Sequence, residues 1–193
     1  AQHLLQLVDA MLLILTLTCR VDENQVGKTE IPNSLLTRKK MGGPMAANLA
    51  KAQHHVVAFD LSDAAVSAAV EKGAHMASSA AEAVKGAEIV VTMLPAGKHV
   101  REVYEKDVLP NVGKGTLLID CSTIDVESAR HVAALAEKAG MDMVDAPVSG
   151  GVGGATAGTL TFMVGGSEAS FAKARPILEK MGKNIVLAGT SGG

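Results

Sequence analysis

The sequence predicts an α/β protein, a Rossmann-like, mostly parallel, doubly wound sheet, and three observations carry that reading. From residue 41 onward, short β-branched runs alternate with alanine-rich segments, the pattern of successive βαβ units. Several runs are apolar without interruption at their centres, as in Ile89-Val90-Val91 and Leu117-Leu118-Ile119, which strands covered on both faces require. Gly73, Gly86, Gly140 and Gly182 each stand just past a helix-like segment, where a left-handed residue closes a helix.

The first forty residues differ in texture from the rest. Residues 4–19 are apolar apart from Gln6, Asp9 and short polar breaks, too short for the ~20 apolar residues of a membrane span. The run lacks a basic front and a small-residue cleavage site, so it does not read as a signal peptide. Residues 21–40, with Pro32 and Asn33, read as a linker. The predicted strands are 54–60, 88–95, 116–123, 141–149, 159–166 and 184–189. The predicted helices are 44–53, 62–72, 79–85, 98–106, 126–139 and 167–181. Ser79 with Glu82 forms a capping box, and Pro176 is expected to kink or divide the last helix. Residues 150–158 are glycine-rich.

Composition narrows the function classes. Eighteen basic residues balance twenty acidic ones, and the four aromatic residues are three Phe and one Tyr. A polyanion footprint and a base-stacking platform are both missing, so nucleic acid and membrane are excluded as partners. Two cysteines, Cys19 and Cys121, and six histidines without ligand spacing predict neither a disulfide framework nor a metal site.

In a doubly wound sheet, ligands bind outside the carboxyl ends of the strands. The candidate residues are therefore those that follow each apolar run. Asp60 stands where a ribose hydroxyl would be received, or is a turn and helix-capping aspartate. Met93-Leu94-Pro95, Ser122-Thr123 and the segment from Asp145 to Gly151 end the later strands in small or turn-forming residues. Gly42 and Gly43 lead into Pro44 at a helix start that can hold a phosphate. A full GxGxxG fingerprint ending at Gly42 would need glycine at positions 37 and 39, which carry Thr37 and Lys39. No uninterrupted apolar strand precedes it, because Pro32 argues against a central strand.

The segments MGGPMAANL, VVTMLP, LLIDCSTID and DAPVSGGVGGATAGTLTFMVGG resemble the β-hydroxyacid dehydrogenase family, and within it the 3-hydroxyisobutyrate dehydrogenases, from Met41 to the end of the chain. The resemblance implies an NAD-dependent oxidoreductase that oxidises 3-hydroxyisobutyrate to methylmalonate semialdehyde in valine breakdown. It also implies a Rossmann-type domain followed by an all-helical domain, and a homo-oligomer in complete relatives. By resemblance, Gly42, Asp60, Leu94, Pro95, His99 and Thr123 bind the cofactor, with the acid at Asp60 favouring NAD over NADP. His99 reads equally as a solvated helix residue. Ser149, Gly150 and Gly151 match the segment that holds the carboxylate of a small-molecule 3-hydroxy acid.

No catalytic residue is assigned, because the family's general acid/base lysine would fall beyond Gly193, as would the helical domain. The resulting division is an unmatched segment and linker over 1–40 and a truncated NAD-binding domain over 41–193. Residues 12–18 are an alternative source of a first strand, across a connection of about twenty residues where ~2–6 is common. Two readings of function stand side by side. One is a 3-hydroxyisobutyrate dehydrogenase-like oxidoreductase, inactive as this fragment, with tartronate or succinic semialdehyde reduction as the alternative within the family. The other is a catalytically dead nucleotide-binding or subunit-interaction fragment. The expected compartment is the mitochondrial matrix in a eukaryote and the cytoplasm in a bacterium, without secretion.

Overall fold

The computed structural model describes residues 13–17, 31–33 and 41–192. Among these, the strands are β1 (Leu13–Leu17), β2 (Ile31–Asn33), β3 (His54–Asp60), β4 (His75–Met76), β5 (Ile89–Thr92), β6 (Leu117–Asp120), β7 (Asp142–Asp145), β8 (Val148–Ser149), β9 (Leu160–Gly166) and β10 (Gly182–Gly189). The helices are α1 (Gly42–Lys51), α2 (Asp63–Val70), α3 (Ala80–Val84), α4 (Gly97–Val103), α5 (Val126–Lys138), α6 (Gly151–Ala157) and α7 (Glu168–Leu178). All strands join one sheet in the order β10-β9-β7-β6-β5-β1-β3-β2, with β4 on β3 and β8 on β9.

The parallel expectation holds for β5, β6 and β7, for β9 with β10, and for β3 with β2 and β4. The sheet is nonetheless mixed, since β9 runs antiparallel to β7 and β1 runs antiparallel to both its neighbours. Every residue of β6 is buried, as its unbroken apolar run predicts for a strand covered on both faces. Met45 and Leu49 of α1, Val100 and Val103 of α4, Val132 and Ala136 of α5, and Ala174 and Leu178 of α7 are buried in the same core.

Helix ends follow local chemistry. Ser79 Oγ accepts the Glu82 amide at 3.1 Å, while Glu82 reaches back to the Ser78 amide at 2.7 Å, so the capping box closes one residue earlier than its usual form. Asp125 and Ser167 cap α5 and α7 by accepting the amides of Ser128 and Ser170. Pro176 does not divide α7, which runs through it to Leu178. So close to the helix end, its missing N–H removes a single intrahelical bond.

Other departures have backbone causes. The expected strand 141–149 is split into β7 and β8 at Ala146-Pro147, where Pro147 offers the ladder only its carbonyl, which accepts the Met163 amide at 3.1 Å. The glycine-rich tract forms α6, closed by Gly158 in the left-handed region at φ 66°. The helix beginning at Gly97 continues as a π-helical turn over Tyr104–Val108.

Of residues 1–40, expected to stand outside the domain, 13–17 and 31–33 belong to the sheet and the others lie outside the described residues. The segment LILTL fills the slot between β3 and β5, with Leu15 opposite Ala58 on one side and Val91 on the other. Because β1 is antiparallel, Leu13 lies beside Asp60, and the end at Leu17 lies beside Val56 and Ile89, at the opposite end of the sheet. The strand with parallel sense ahead of α1 is β2, which pairs with β3 through Ile31↔His54 and Asn33↔Val56. Pro32 is thus accommodated on an edge strand. Among the described residues, no helix is long and apolar enough to cross a membrane.

Gly97 opens α4 directly against the cap of α5. A Cβ there would collide with Asp125 Oδ2 and with the Ser128 side chain. Gly97→Ala is therefore expected to lower stability by about 1–3 kcal/mol through overpacking, read as a fall in the thermal unfolding midpoint.

Candidate functional site at the carboxyl edge of the sheet

The parallel registers of β5, β6 and β7 place the last residues of the three strands in one row, Thr92, Asp120 and Asp145. All three are buried, Asp120 at 1% exposure. Beyond this row the chain leaves the sheet in loops, at Met93-Leu94-Pro95, at Cys121-Ser122-Thr123 and at Ala146-Pro147. On the far side of β1, β3 ends at Asp60. The candidate residues from four strands thus gather at one edge.

Asp120 is the centre of a buried polar network. Its Oδ1 accepts from Thr92 Oγ1 at 2.7 Å, Ser122 Oγ at 2.5 Å and the Ser122 amide at 3.1 Å. Ser122 Oγ in turn accepts the Leu94 amide at 2.7 Å, and Thr92 Oγ1 lies 2.9 Å from the Tyr104 hydroxyl. Burial pushes the Asp120 carboxyl up from 3.8 to about 6 against the pull of these hydrogen bonds, with the nearby Asp145 adding to the rise. Burial also raises Asp145, and the Gly192 amide bonded to its Oδ1 at 3.0 Å opposes that. The Tyr104 hydroxyl and Cys121 thiol are held well above their usual ranges, first by burial and then by Asp120.

The residues expected at the cofactor reach this edge by different routes. Gly42 is buried at the start of α1, and Gly43 beside it is open, since a Cβ there would meet nothing within 4 Å. Asp60 is buried, with Oδ1 accepting the Ser62 amide at 2.8 Å ahead of α2. The turn-forming role is therefore filled by this side chain. Leu94 is buried, Pro95 half-buried and Thr123 exposed. His99 sits in the first turn of α4, with Nδ1 buried and without a hydrogen-bond partner. Burial foremost, and Lys98 next, lower its pKa against the opposing Glu102.

The three residues expected at the substrate lie further out. β8 continues the line of β7 along β9, pairing Val148↔Phe162 and Ser149↔Thr161 after β7 has paired Asp145↔Gly165. Ser149, Gly150 and Gly151 are exposed beyond the sheet edge. Gly150 has φ 127° and Gly151 φ 58°, and a Cβ on Gly150 would also press on Leu160 Cδ2 at 3.2 Å. Position 150 therefore admits only glycine without strain.

The sequence reading did not single out Asp120, Thr92 or Tyr104 for the site. The available signal was a polar residue closing each of two buried apolar runs, Thr92 and Asp120, although only the register shows that the two meet.

The described residues suit a dinucleotide in most of its parts. Among the described residues, no side chain caps α1 and no acidic residue occupies its first turn, which suits a pyrophosphate at a helix start. Asp60 supplies the acid at the end of the second parallel unit. The fingerprint positions Thr37 and Lys39 lie outside the described residues.

Parallel strands wound on both faces, with an acid, an uncapped helix start and three short loops at their carboxyl edge, define a Rossmann-type dinucleotide-binding domain. The match to the family described as the NAD binding domain of 6-phosphogluconate dehydrogenase runs over residues 39–189. The chain belongs to this family of NAD-binding domains, and it is similar to 3-hydroxyisobutyrate dehydrogenases and related β-hydroxyacid dehydrogenases.

It is 57% identical to a 3-hydroxyisobutyrate dehydrogenase of Pseudomonas aeruginosa over 154 residues, 79% of this chain and 52% of that one. It is 51% identical to an NAD-dependent L-serine dehydrogenase of the same organism, again over 79% of this chain and 52% of the relative. The solved structure of a Mycobacterium tuberculosis 3-hydroxyisobutyrate dehydrogenase with L-serine matches with a TM-score of 0.78 and 50% identity, over 81% of this chain and 54% of that chain. The chain spans about half the length of the curated relatives it matches.

A carboxyl whose folded-state pKa lies near 6, above its ordinary 3.8, contributes stability that is full below about pH 4 and is lost as pH rises through 6. Wild-type protein is therefore expected to lose on the order of 2–3 kcal/mol between pH 4 and pH 8 from this group alone. Asp120→Asn removes that part of the slope. Unfolding midpoints of both proteins at pH 5 and pH 8 check it, and parallel pH profiles would refute it.

Proposed function

We propose that this chain is the cofactor half of an NAD-dependent oxidoreductase acting on a small 3-hydroxy acid, with oxidation of 3-hydroxyisobutyrate to methylmalonate semialdehyde as its reaction. The observation that carries the reading is the exposed turn at Ser149, Gly150 and Gly151, set just beyond the edge that bears Asp60, Leu94 and Thr123. Relatives named for 3-hydroxyisobutyrate and for L-serine oxidation support it, and both substrates are 3-hydroxy carboxylates.

In this reading Asp60 accepts the adenosine ribose hydroxyls and disfavours a 2′-phosphate by charge. Gly42 and Gly43 let the amides of α1 approach the pyrophosphate. Leu94, Pro95 and Thr123 flank the nicotinamide portion, with His99 beside them. Ser149 Oγ and the amides of Gly150 and Gly151 hold the substrate carboxylate, which fixes the carbinol carbon toward the cofactor loops. Bound NAD supplies the hydride acceptor. No side chain among the described residues is assigned the proton transfer. The assignment of residues 41–193 to the cofactor domain, with β1 and β2 from residues 1–40 joining its sheet, belongs to this proposal. So do oligomerisation and the compartment, the matrix in a eukaryotic source and the cytoplasm in a bacterial one.

L-Serine as substrate is the second reading, favoured by the 51% identity to the enzyme named for it. Joining this chain to the remainder of a relative and comparing kcat/KM for 3-hydroxyisobutyrate and L-serine decides between them. Higher kcat/KM is expected for 3-hydroxyisobutyrate, and the reverse order would assign serine.

Two outcomes are expected of the 193-residue protein itself. NAD at ~100 times its dissociation constant should stabilise the fold by about 2.7 kcal/mol, with NADP giving a smaller shift. A midpoint unmoved by NAD would sink the nucleotide-binding reading. With 3-hydroxyisobutyrate and NAD present, no NADH should form, and absorbance growing at the reduced-nicotinamide band would overturn that expectation.

A further inference from the structure

The parallel ladder between β5 and β6 ends where the Cys121 amide meets the Thr92 carbonyl at 2.7 Å. Past that point, the loops that carry Leu94-Pro95 and Ser122-Thr123 are tied by a side chain, since the Leu94 amide donates to Ser122 Oγ. The direction of each proton in the network is fixed. Asp120 Oδ1 takes the single hydroxyl proton of Thr92 and that of Ser122, so the Tyr104 hydroxyl 2.9 Å from Thr92 Oγ1 must donate to it. Ser122 Oγ, its proton spent on Asp120, turns a lone pair to Leu94.

Every proton in the chain thus points toward one carboxylate, an arrangement in which each bond polarises the next. The groups facing Asp120 are Thr92 from β5, Tyr104 from the π-helical turn, Asp145 from β7, and Cys121 and Ser122 from its own loop. None of them is a cation.

We propose that Asp120 is a positioning residue for the cofactor. Through Ser122 it sets the spacing of the Leu94-Pro95 loop from Thr123, and hence the shape of the cleft that receives the nicotinamide half of NAD. The inference rests on the nucleotide-binding reading above and adds to it a residue that touches no part of the ligand. Asp60 and α1, which meet the adenosine and pyrophosphate, lie outside this network. The two halves of the dinucleotide should therefore respond differently when it is cut.

The test compares binding of NAD and of ADP-ribose, which lacks the nicotinamide, to wild type, Asp120→Ala, Ser122→Ala and Asp120→Asn. Removal of Asp120 can itself unfold the chain, so Ser122→Ala carries the test independently. A lost hydrogen bond in a charge-assisted chain predicts NAD binding weakened about tenfold or more in Ser122→Ala and Asp120→Ala. ADP-ribose binding should stay within about twofold. Exchange of the Leu94 amide hydrogen should quicken in both variants. Asp120→Asn keeps an oxygen acceptor for the same three donors and should restore NAD binding to within about threefold of wild type.

Ser122→Ala binding NAD as wild type does would overturn the inference. Equal loss of NAD and ADP-ribose, or Asp120→Asn as weak as Asp120→Ala, would overturn it as well. A wild-type chain that binds neither ligand would instead overturn the nucleotide-binding reading itself, a result distinct from the others.

Discussion

Backbone that has left water must find partners, and the slot between β3 and β5 is where that requirement bears hardest on this molecule. Both strands are lined by buried residues, Val56 and Ala58 on one and Val90 and Val91 on the other. If their facing edges were open, two rows of amides and carbonyls would be left unsatisfied in the middle of the sheet. A doubly wound unit fills such a slot with a parallel strand that turns straight into the first helix. Here β1 fills it in the opposite sense. Hydrogen bonding is satisfied by either direction, because a strand exposes the same donors and acceptors both ways. The architecture survives the reversal, and the end of β1 at Leu17 lies at the opposite edge of the sheet from Asp60.

Much of this was legible from residue 41 onward. Uninterrupted apolar runs located β5 and β6, and the Ser79–Glu82 capping box located the start of α3. The glycine-rich tract was opaque because glycine carries no periodicity, and α6 is held by its surroundings instead, including the Asn48 amide donating to the Ala155 carbonyl at 2.6 Å. Pro147 broke a strand that apolar patterning alone had run through.

The site divides along the same line. Residues such as Asp60 and Ser149 follow a strand and can be found by reading outward from it. Asp120 meets Thr92 across 28 positions, and Ser122 beside it meets Leu94 across another 28, and no local pattern encodes that meeting. Its raised pKa has a cost in folding free energy at neutral pH, which sets it apart from a residue retained for stability.

The reversal of β1 also bears on the order in which the chain assembles. From α1 to β7, each strand finds its neighbour after a single intervening helix, so the loops to be closed are short. Leu15 must meet Ala58 and Val91, across much longer stretches of chain, and loop-closure entropy favours the local units forming first. Until β1 docks, two buried-type strands present unpaired edges to any other chain nearby. The interval before docking is when this protein is most exposed to intermolecular strand pairing.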